Sequence, residues 1–446
     1  MFILVKSNDG MRSNFALAWP LAVNALLVQS MLMIDTLLVA PLGELPVAAM
    51  GIAATIVAFA LGIEVAIANG IQLLVGRAYG RQNQADLAVA YWVGLIINVA
   101  TAFLFFILIS IFSGDIVAAI TSDIALSPLV ESYMSISKYV ILITAYTQVC
   151  TAFCNGCGSS KVALKGFLIE LPVNVLVSYI LINGLSAFKG IGVDGAAWGS
   201  VFAVLLRAIY FYYSLKIDAQ VDLRYPKSRP LLTEIRPQSV EIFPIAANFF
   251  VLSVGATVYQ LLYAQLELFS FVAITLIFPW LRAGTQFTNA WAQASAISIS
   301  QALGTLNAHQ LRDFVNDCMR VGVVMSMLVA AVFFILSKCM PYIYPNIEIE
   351  TQLALATIAP LYIILPVIRA YNTVSGNILR ALGESARVLK IHFFTQWMMS
   401  IPLCAVLVLY FDISVFWAFA MIPAEELFKT IPFYKYRTIC MNRYCI

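Results

Sequence analysis

Apolar residues in this chain come in long blocks rather than in periodic stripes. Twelve blocks lie at about 12–39, 47–76, 86–112, 125–154, 161–184, 192–216, 238–262, 268–303, 314–337, 352–379, 389–410 and 413–434 of its 446 residues. A helix of roughly 20 residues crosses a hydrocarbon layer, so each block is long enough to span. Several are longer, which predicts tilt, kinks or extension beyond the bilayer. Nothing alternates with a period of two over successive segments, as the strands of a membrane barrel would. The pattern predicts an all-α membrane protein with twelve transmembrane helices. The first block is too long for a signal peptide and is expected to stay in the mature chain.

Composition agrees with this pattern. The chain is 62% hydrophobic and only 11% charged, and its net charge of +3 says little by itself. The placement of the charges says more. Twenty Lys and Arg lie at the two ends of the chain and in or beside every second loop, whereas the alternate loops hold only Lys189 and Lys338. Lys429 is counted with the first set, and Lys138, Arg207, Arg282 and Arg369 lie within spans. This asymmetry predicts both termini in the cytoplasm. The segment 218–237, with Pro226, Pro230 and Pro237, is the longest and most basic loop. It divides the chain into 1–217, with six helices, and 238–446, with six more and a short tail.

An internal repeat supports the same division. Pro20-Leu21-Ala22-Val23-Asn24 corresponds to Pro244-Ile245-Ala246-Ala247-Asn248 at an offset of 224. Gly80-Arg81-Gln82-Asn83 corresponds to Gly304-Thr305-Leu306-Asn307 at the same offset, and Gly158 to Gly383 at 225. Each half has six spans, so both run in the same direction. An axis along the membrane normal is expected to relate them, with a central site between.

Against this apolar background a few polar side chains stand out. Asp35 lies near the far end of the first helix, which has no other ionisable group after Arg12. An acid at the centre of a membrane helix costs about 2.5–3.5 kcal/mol, so it marks a functional site by default. A buried carboxyl that takes up and releases a proton is the simplest device for tying a proton gradient to movement. Asn24, Met31 and Asp35 share one stripe of helix one, since eleven residues make three turns. Glu170, Asn174 and Ser178 share one face of helix five at i, i+4 and i+8. The plain alternative for such groups is interhelical glue, at about 0.6 kcal/mol each. Glu170 is near the cytoplasmic end of its helix and faces either water or a cavity. Glu64 is the other deep acid and shares a face with Gln72; its plain reading is a protonated or hydrogen-bonded carboxyl in the core. Pro20 and Pro172 interrupt helices one and five and permit kinks there.

In the second half, Arg282, Gln286, Asn289 and Gln293 form a stripe on helix eight too polar to face lipid. Arg369, with Tyr371 and Asn372 nearby, raises the same expectation of a partner. Aromatic residues at 13% and 14 methionines suit a reshapeable binding cavity, although ordinary packing accounts for most of them. Tyr139 and Tyr146, seven apart on helix four, are candidates for its wall.

In order and spacing these residues resemble the MATE (multidrug and toxic compound extrusion) family. The marks are Pro20, then Asp35-Thr36 and Leu42-Gly43; the Gly80 to Asn83 turn; Gly192-Val193-Asp194-Gly195-Ala196-Ala197 opening helix six; and Gly158 and Gly383 after helices four and ten. The resemblance implies two six-helix lobes around a V-shaped cavity, and drug export driven by inward H⁺ or Na⁺. Ser200 falls at a family position that is often Thr, and joins Asn24, Glu170, Asn174 and Ser178 as an N-lobe cluster around Asp35. Sodium-coupled NorM-type members carry acids in helices seven and ten, where this chain has Val251–Leu252 and Tyr371. Proton-coupled DinF-type members use the helix-one Asp, retained as Asp35, and some add an Asp where this chain has Ser178.

The expectation is therefore H⁺/drug antiport by alternating access in a bacterial cytoplasmic membrane. Protonation of Asp35 would rearrange its bonds to helix five and bend helix one; deprotonation towards the cytoplasm would reset it. Substrates are expected to be amphipathic and cationic, because an ionised carboxylate in a partly dry cavity favours a positive ligand. Sodium at the same N-lobe oxygens is the first alternative, and a flippase for a lipid-linked or metabolite substrate, using Arg282 and Arg369, is the second. No enzyme motif such as HExxH and no Walker loop is present. The Cys154/Cys157 pair lacks a second pair or a nearby His, and the chain has only His309 and His392, so no metal or other cofactor is expected. A monomer in lipid, without a nucleic-acid partner, completes the expectation.

Overall fold

The computed structural model describes residues 7–120, 124–185, 188–217, 223–226, 229–303, 308–345, 347–411 and 413–444. Among them twelve helical rods follow one another: α1 (Ser7–Val39), α2 (Glu44–Gly80), α3 (Gln84–Ile120), α4 (Leu126–Gly156), α5 (Ser160–Asn183), α6 (Val193–Ile217), α7 (Leu231–Tyr263), α8 (Leu268–Ala302), α9 (Ala308–Ile343) and α10 (Ile349–Ala381). Three consecutive pieces, Ser385–Phe393, a π-helical stretch Phe394–Ser400 and Ile401–Tyr410, form α11, and Val415–Tyr444 is α12. A two-stranded hairpin, β1 (Gly184–Leu185) and β2 (Phe188–Lys189), lies between α5 and α6.

Among the described residues, eleven of these rods are long and apolar enough to cross a membrane. The chain is a multi-pass, all-helical membrane protein, as the apolar blocks predict. The exception is α12, whose centre carries Glu425, Glu426 and Lys429. Helix α7 begins at Leu231, seven residues before the apolar block that foretold it, because Pro237 and the basic run disguise its first turns. The Gly304–Asn307 half of the repeat lies outside the described residues.

Packing divides the chain into two compact units. The first is Val23–Ala246; the second is Met1–Ala22 together with Ala247–Ile446. Helices α1 and α7 therefore belong to both: α1 enters the first unit after Ala22, and α7 enters the second after Ala246. These crossings are 224 residues apart, the offset of the sequence repeat, and each follows a helix-interior proline, Pro20 or Pro244, by two residues. A proline removes one bond of the helical ladder, so each helix is weakest where it changes units.

The ends of these two helices are pinned by specific contacts. In the second unit Asn14 donates to Ser295 Oγ at 3.1 Å and accepts from Ser298 Oγ at 2.9 Å, and the Phe15 ring lies 4.7 Å from that of Trp291. In the first unit Glu241 of α7 pairs with Arg77 at 2.5 Å, and Ile242 fills the space that Gly70 of α2 leaves open.

Within the first unit α2 packs on α4, α3 on α2 and α4, and α6 on α4 and α5. One apolar layer joins Met50, Val57 and Ala60 to Ile141, Ala145 and Val201; another joins Ile71 and Val75 to Cys150, Phe153 and Ile242. In the second unit α10 is central, against α8, α9 and α12, with Ile274, Tyr362, Cys404 and Phe419 in its core.

The motif glycines and their neighbours have physical reasons. Gly158 and Gly383 end α4 and α10 at φ of +81° and +83°, a conformation a side chain would strain. Asn83 caps α3: its Oδ1 accepts from the Asp86 N–H at 3.1 Å. Gly195 and Gly199, one turn apart on α6, let the backbone of α5 pass at Leu181–Ile182 and at Ser178, where a Cβ would collide.

Candidate functional site

The buried stripe of α5 runs Phe167, Glu170, Asn174, Ser178, Ile182, so a helix with apolar ends is polar through its middle. Close packing through Gly195 and Gly199 holds that stripe against α6, and the later half of α1 delivers Asp35 to it. Asp35 is 8% exposed, and the Asn174 side chain hydrogen-bonds to its carboxyl. Asn174 also donates to Ser200 Oγ at 3.0 Å. Helices α1, α5 and α6 thus meet at Asp35, Asn174 and Ser200, three of the residues expected to lie together. Tyr133 of α4, itself buried, is within the electrostatic reach of Asp35 and of Asp194.

This cluster is short of donors. Among the described residues Asp35 Oδ1, Asn174 Oδ1 and Ser178 Oγ have no hydrogen-bond partner, nor does Asn24 Oδ1, three turns before Asp35 on α1. Buried acceptors without donors are rare and costly, about 1–3 kcal/mol each. The arrangement favours anything that brings positive charge or a proton to these oxygens.

Glu170 sits one turn from Asn174 on α5 but has a different fate. Arg207 of α6 binds it at 2.6 Å, with both side chains almost wholly enclosed. The same guanidinium reaches Thr147 Oγ1 at 2.5 Å and lies over the Phe167 ring at 4.2 Å. Sequence reasoning left Glu170 between water and cavity; the structure places it in neither, because its charge is already neutralised inside the unit. The signal was present: Arg207 lies within a span, where a lone arginine requires an acid. Glu64 is fully buried on α2, and neither of its oxygens has a partner among the described residues. Of the two plain readings of this core carboxyl, protonated or hydrogen-bonded, the second finds no partner among the described residues. Gln72, two turns on, accepts from Asn155 at 3.1 Å instead.

The remaining candidates are dispersed. Tyr139 is exposed and stacks on Trp198 at 6.5 Å, while Tyr146 is half-buried near Tyr91 and Cys150. On α8, Arg282 and Asn289 are exposed and Gln286 is half-buried. Tyr371 accepts from Arg437 at 3.2 Å, which also covers its ring at 5.2 Å. Pro20 and Pro172 lie inside α1 and α5 as read from the sequence. Among the described residues no three of His, Cys, Asp and Glu come together as a metal site would require.

A second polar cluster, unforeseen, occupies the second unit. Lys429 of α12, assigned from the sequence to a cytoplasmic segment, is 3% exposed and lies 2.5 Å from Glu425 and 3.5 Å from Glu426. Glu426 also meets Arg369 at 3.4 Å and accepts from Asn372 at 2.9 Å. Glu425 accepts from the Tyr259 hydroxyl at 2.7 Å. His392 Nδ1 lies 2.6 Å from Asn248 Oδ1. Arg369 thereby acquires the partner its position demanded. The sequence signal was Glu425-Glu426-x-x-Lys429 within the twelfth block, a spacing that stacks acid and base on one helix face.

Two six-rod halves, a repeat at offsets of 224 and 225, helices that change units after matched prolines and a buried acid in the first unit define a multi-pass membrane fold of two related halves. The chain belongs to the MatE family, whose model matches it twice, over residues 20–180 and 244–406. It is similar to the probable multidrug resistance protein YoeA of Bacillus subtilis (strain 168), at 23% identity over 145 residues, 32% of this chain and 31% of that protein. It is also similar to a probable multidrug resistance protein NorM of Rhizobium meliloti (strain 1021), at 31% identity over 183 residues, 39% of this chain and 37% of that one. These alignments span about a third of the relatives' length. A crystal structure of MATE in the bent conformation superposes with a TM-score of 0.89 at 15% identity, covering 98% of this chain and 96% of that one, a likeness of fold.

Proposed function

We propose that this protein is a secondary active multidrug exporter that exchanges H⁺ for amphipathic, cationic compounds by alternating access, with Asp35 as the proton-coupling carboxyl. The reading places it in a bacterial cytoplasmic membrane as a monomer with both termini in the cytoplasm, without a cofactor and without enzymatic activity. One observation carries it. Of the two acids on the α1–α5 face, Glu170 is neutralised by Arg207, whereas Asp35 Oδ1 has no partner among the described residues. A carboxyl with no fixed counter-ion is the one whose charge a mobile cation can change.

In this reading a proton arriving at Asp35 removes its charge and reverses the sense of its bond to Asn174, since a protonated carboxyl donates where the ionised one accepts. Asn174 then shifts its bond to Ser200, and the later half of α1 moves relative to α5. Pro20 and Pro172 supply the compliance. A cationic substrate and the proton compete for the same negative charge, which makes the exchange obligatory.

The family resemblance and the names of the relatives support drug substrates. A flippase reading loses support because Arg369, one of its two arginines, is tied to Glu426. A sodium-coupled reading keeps it: Asp35 Oδ1, Asn174 Oδ1 and Ser178 Oγ are the hard oxygens a sodium ion takes.

The test is efflux of a cationic dye from proteoliposomes under an imposed pH gradient or an imposed sodium gradient, for the wild type and Asp35→Asn. Efflux driven by the pH gradient and lost in the variant is the expected result. A requirement for sodium would move the coupling to that ion. Efflux retained in Asp35→Asn would sink the role of Asp35.

A further inference from the structure

The correspondence between the halves extends past the motifs that disclosed it. Adding 224 to Asp35 gives Tyr259, and adding it to Asn24 gives Asn248. After Gly158 and Gly383 the offset is 225, and the π-helical stretch Phe394–Ser400 in α11 accommodates one residue more. The two family matches end at 180 and 406, an offset of 226. By this register Asn174 of α5 corresponds to Ser400 of α11. In the first unit α1, α5 and α6 meet at Asp35, Asn174 and Ser200. In the second unit α7, α11 and α12 meet at Tyr259, Ser400 and Glu425, with the Tyr259 hydroxyl 2.5 Å from Ser400 Oγ and 2.7 Å from Glu425 Oε2.

The two meeting points differ in where the carboxyl stands and in what neutralises it. In the first unit the carboxyl stands on the first of the three helices and has no fixed cation among the described residues. In the second it stands on the last, and Lys429, one turn further along α12, reaches Glu425 and Glu426 with its ammonium. Arg369 meets the same Glu426 oxygen, Oε1, that Lys429 approaches, and His392 lies within electrostatic range of Lys429 and of Arg380. Nearby on α11, Gln396 packs on Gly255, one turn before Tyr259, and is buried with Oε1 unpartnered among the described residues. A π-helical stretch of this kind is frequent at functional sites.

We propose that Lys429 is the built-in cation of the second half: its ammonium occupies, beside Glu425 and Glu426, the place that the coupling cation takes at Asp35, and so confines coupling to the first half. The proposal rests on the reading of Asp35 given above. Its chemistry is that of substitution. A primary ammonium carries the single charge of a sodium ion and satisfies the same carboxylate oxygens, but it is tethered and cannot move down a gradient. If its charge is removed, Glu426 keeps Arg369, and what remains open is the Glu425 carboxylate with the Tyr259 and Ser400 hydroxyls and the Gln396 carbonyl, a set of hard oxygens suited to a monovalent cation. A cluster serving only as glue would show no such ion preference.

The experiment reads the melting temperature of the purified, detergent-solubilised protein in sodium chloride against choline chloride at equal ionic strength. Asp35→Asn supplies the background, because it disables the first unit's site. In that single variant sodium is expected to give no specific stabilisation. In Asp35→Asn/Lys429→Met the melting temperature should rise with sodium concentration, as binding to the folded state alone requires. Adding Glu425→Gln should abolish the rise. A sodium-specific rise with Lys429 still in place would overturn the proposal, and so would a folded double variant indifferent to sodium. Failure to obtain the double variant folded in either salt counts against it too, because sodium would then not stand in for the ammonium. None of these readings depends on transport, so they separate from the dye-efflux test of Asp35.

Discussion

The two halves of this chain solve one problem in opposite ways. Each brings three helices together around polar side chains in an apolar setting. In the first unit the account is left open: among the described residues Asp35 Oδ1, Asn174 Oδ1 and Ser178 Oγ have no hydrogen-bond partner. In the second it is closed: Glu425 and Glu426 face Lys429 and Arg369, and Tyr259 and Asn372 complete the carboxylates' hydrogen bonds. An open cluster is expensive and therefore responsive, because a small cation or a proton recovers the missing interactions. A closed one is satisfied in place and has nothing to gain from an ion. The difference follows from a single lysine and from which helix carries the acid.

The largest effect that sharpens this comparison lies in the ion pairs. Glu170 has one cationic partner, Arg207, whereas Glu426 has two, Lys429 and Arg369. Arg207→Met strands a buried carboxylate and should destabilise the first unit by about 3–5 kcal/mol. Arg369→Met leaves Lys429 in place and should cost well under half of that. Thermal unfolding in detergent measures both. The double variant Arg207→Met/Glu170→Gln should recover most of the loss, since removing both charges of a buried pair is often near neutral. Equal costs for the two single arginine variants would contradict the distinction between a singly and a doubly compensated acid.

A smaller effect tests how tightly the open cluster is built. A Cβ at Gly199 would collide with Ser178, side chain and backbone, and so drive α6 away from α5. Gly199→Ala should cost about 1–3 kcal/mol through overpacking and should reduce dye efflux with it, because Asn174 and Ser200 would no longer meet. Efflux unchanged in a Gly199→Ala protein of normal stability would show that the Asn174–Ser200 contact is incidental to transport.

Much of this was legible in the chain. Apolar block length identifies each helix, with ends displaced by up to ten residues, because a membrane leaves the backbone little choice. Asp35 and the α5 face are visible because a polar side chain in an apolar block has few harmless explanations. The second unit's network was not legible for an equally physical reason. The rule that places Lys and Arg at the cytoplasmic face counts residues near helix ends, and Lys429 lies within a few residues of one such predicted end, at 434. Only the extension of α12 to Tyr444 puts it deep inside. The pairing of Arg207 with Glu170 needed the register between α5 and α6, which Gly195 and Gly199 set and which no single-helix pattern contains. Likewise, the passage of α1 and α7 between units is a fact of packing, disclosed in the sequence only by the matched prolines.

The smallest effect is the most discriminating. Ser178 is fully buried and its hydroxyl has no partner among the described residues. Ser178→Ala removes an unsatisfied group of nearly the same shape, so its effect on stability should be within about 1 kcal/mol and of either sign. Its effect on coupling depends on the ion. A proton bound at Asp35 needs no oxygen from Ser178, and the pH-driven rate of dye efflux should then change less than about twofold, under 0.5 kcal/mol on the barrier. A sodium ion shared among Asp35, Asn174 and Ser178 would lose a ligand, and the sodium concentration for half-maximal efflux should rise about tenfold, near 1.4 kcal/mol. The proton reading therefore requires the same hydroxyl to be dispensable for coupling that the sodium reading requires as a ligand, and one substitution in the open cluster separates them without touching the carboxyl itself.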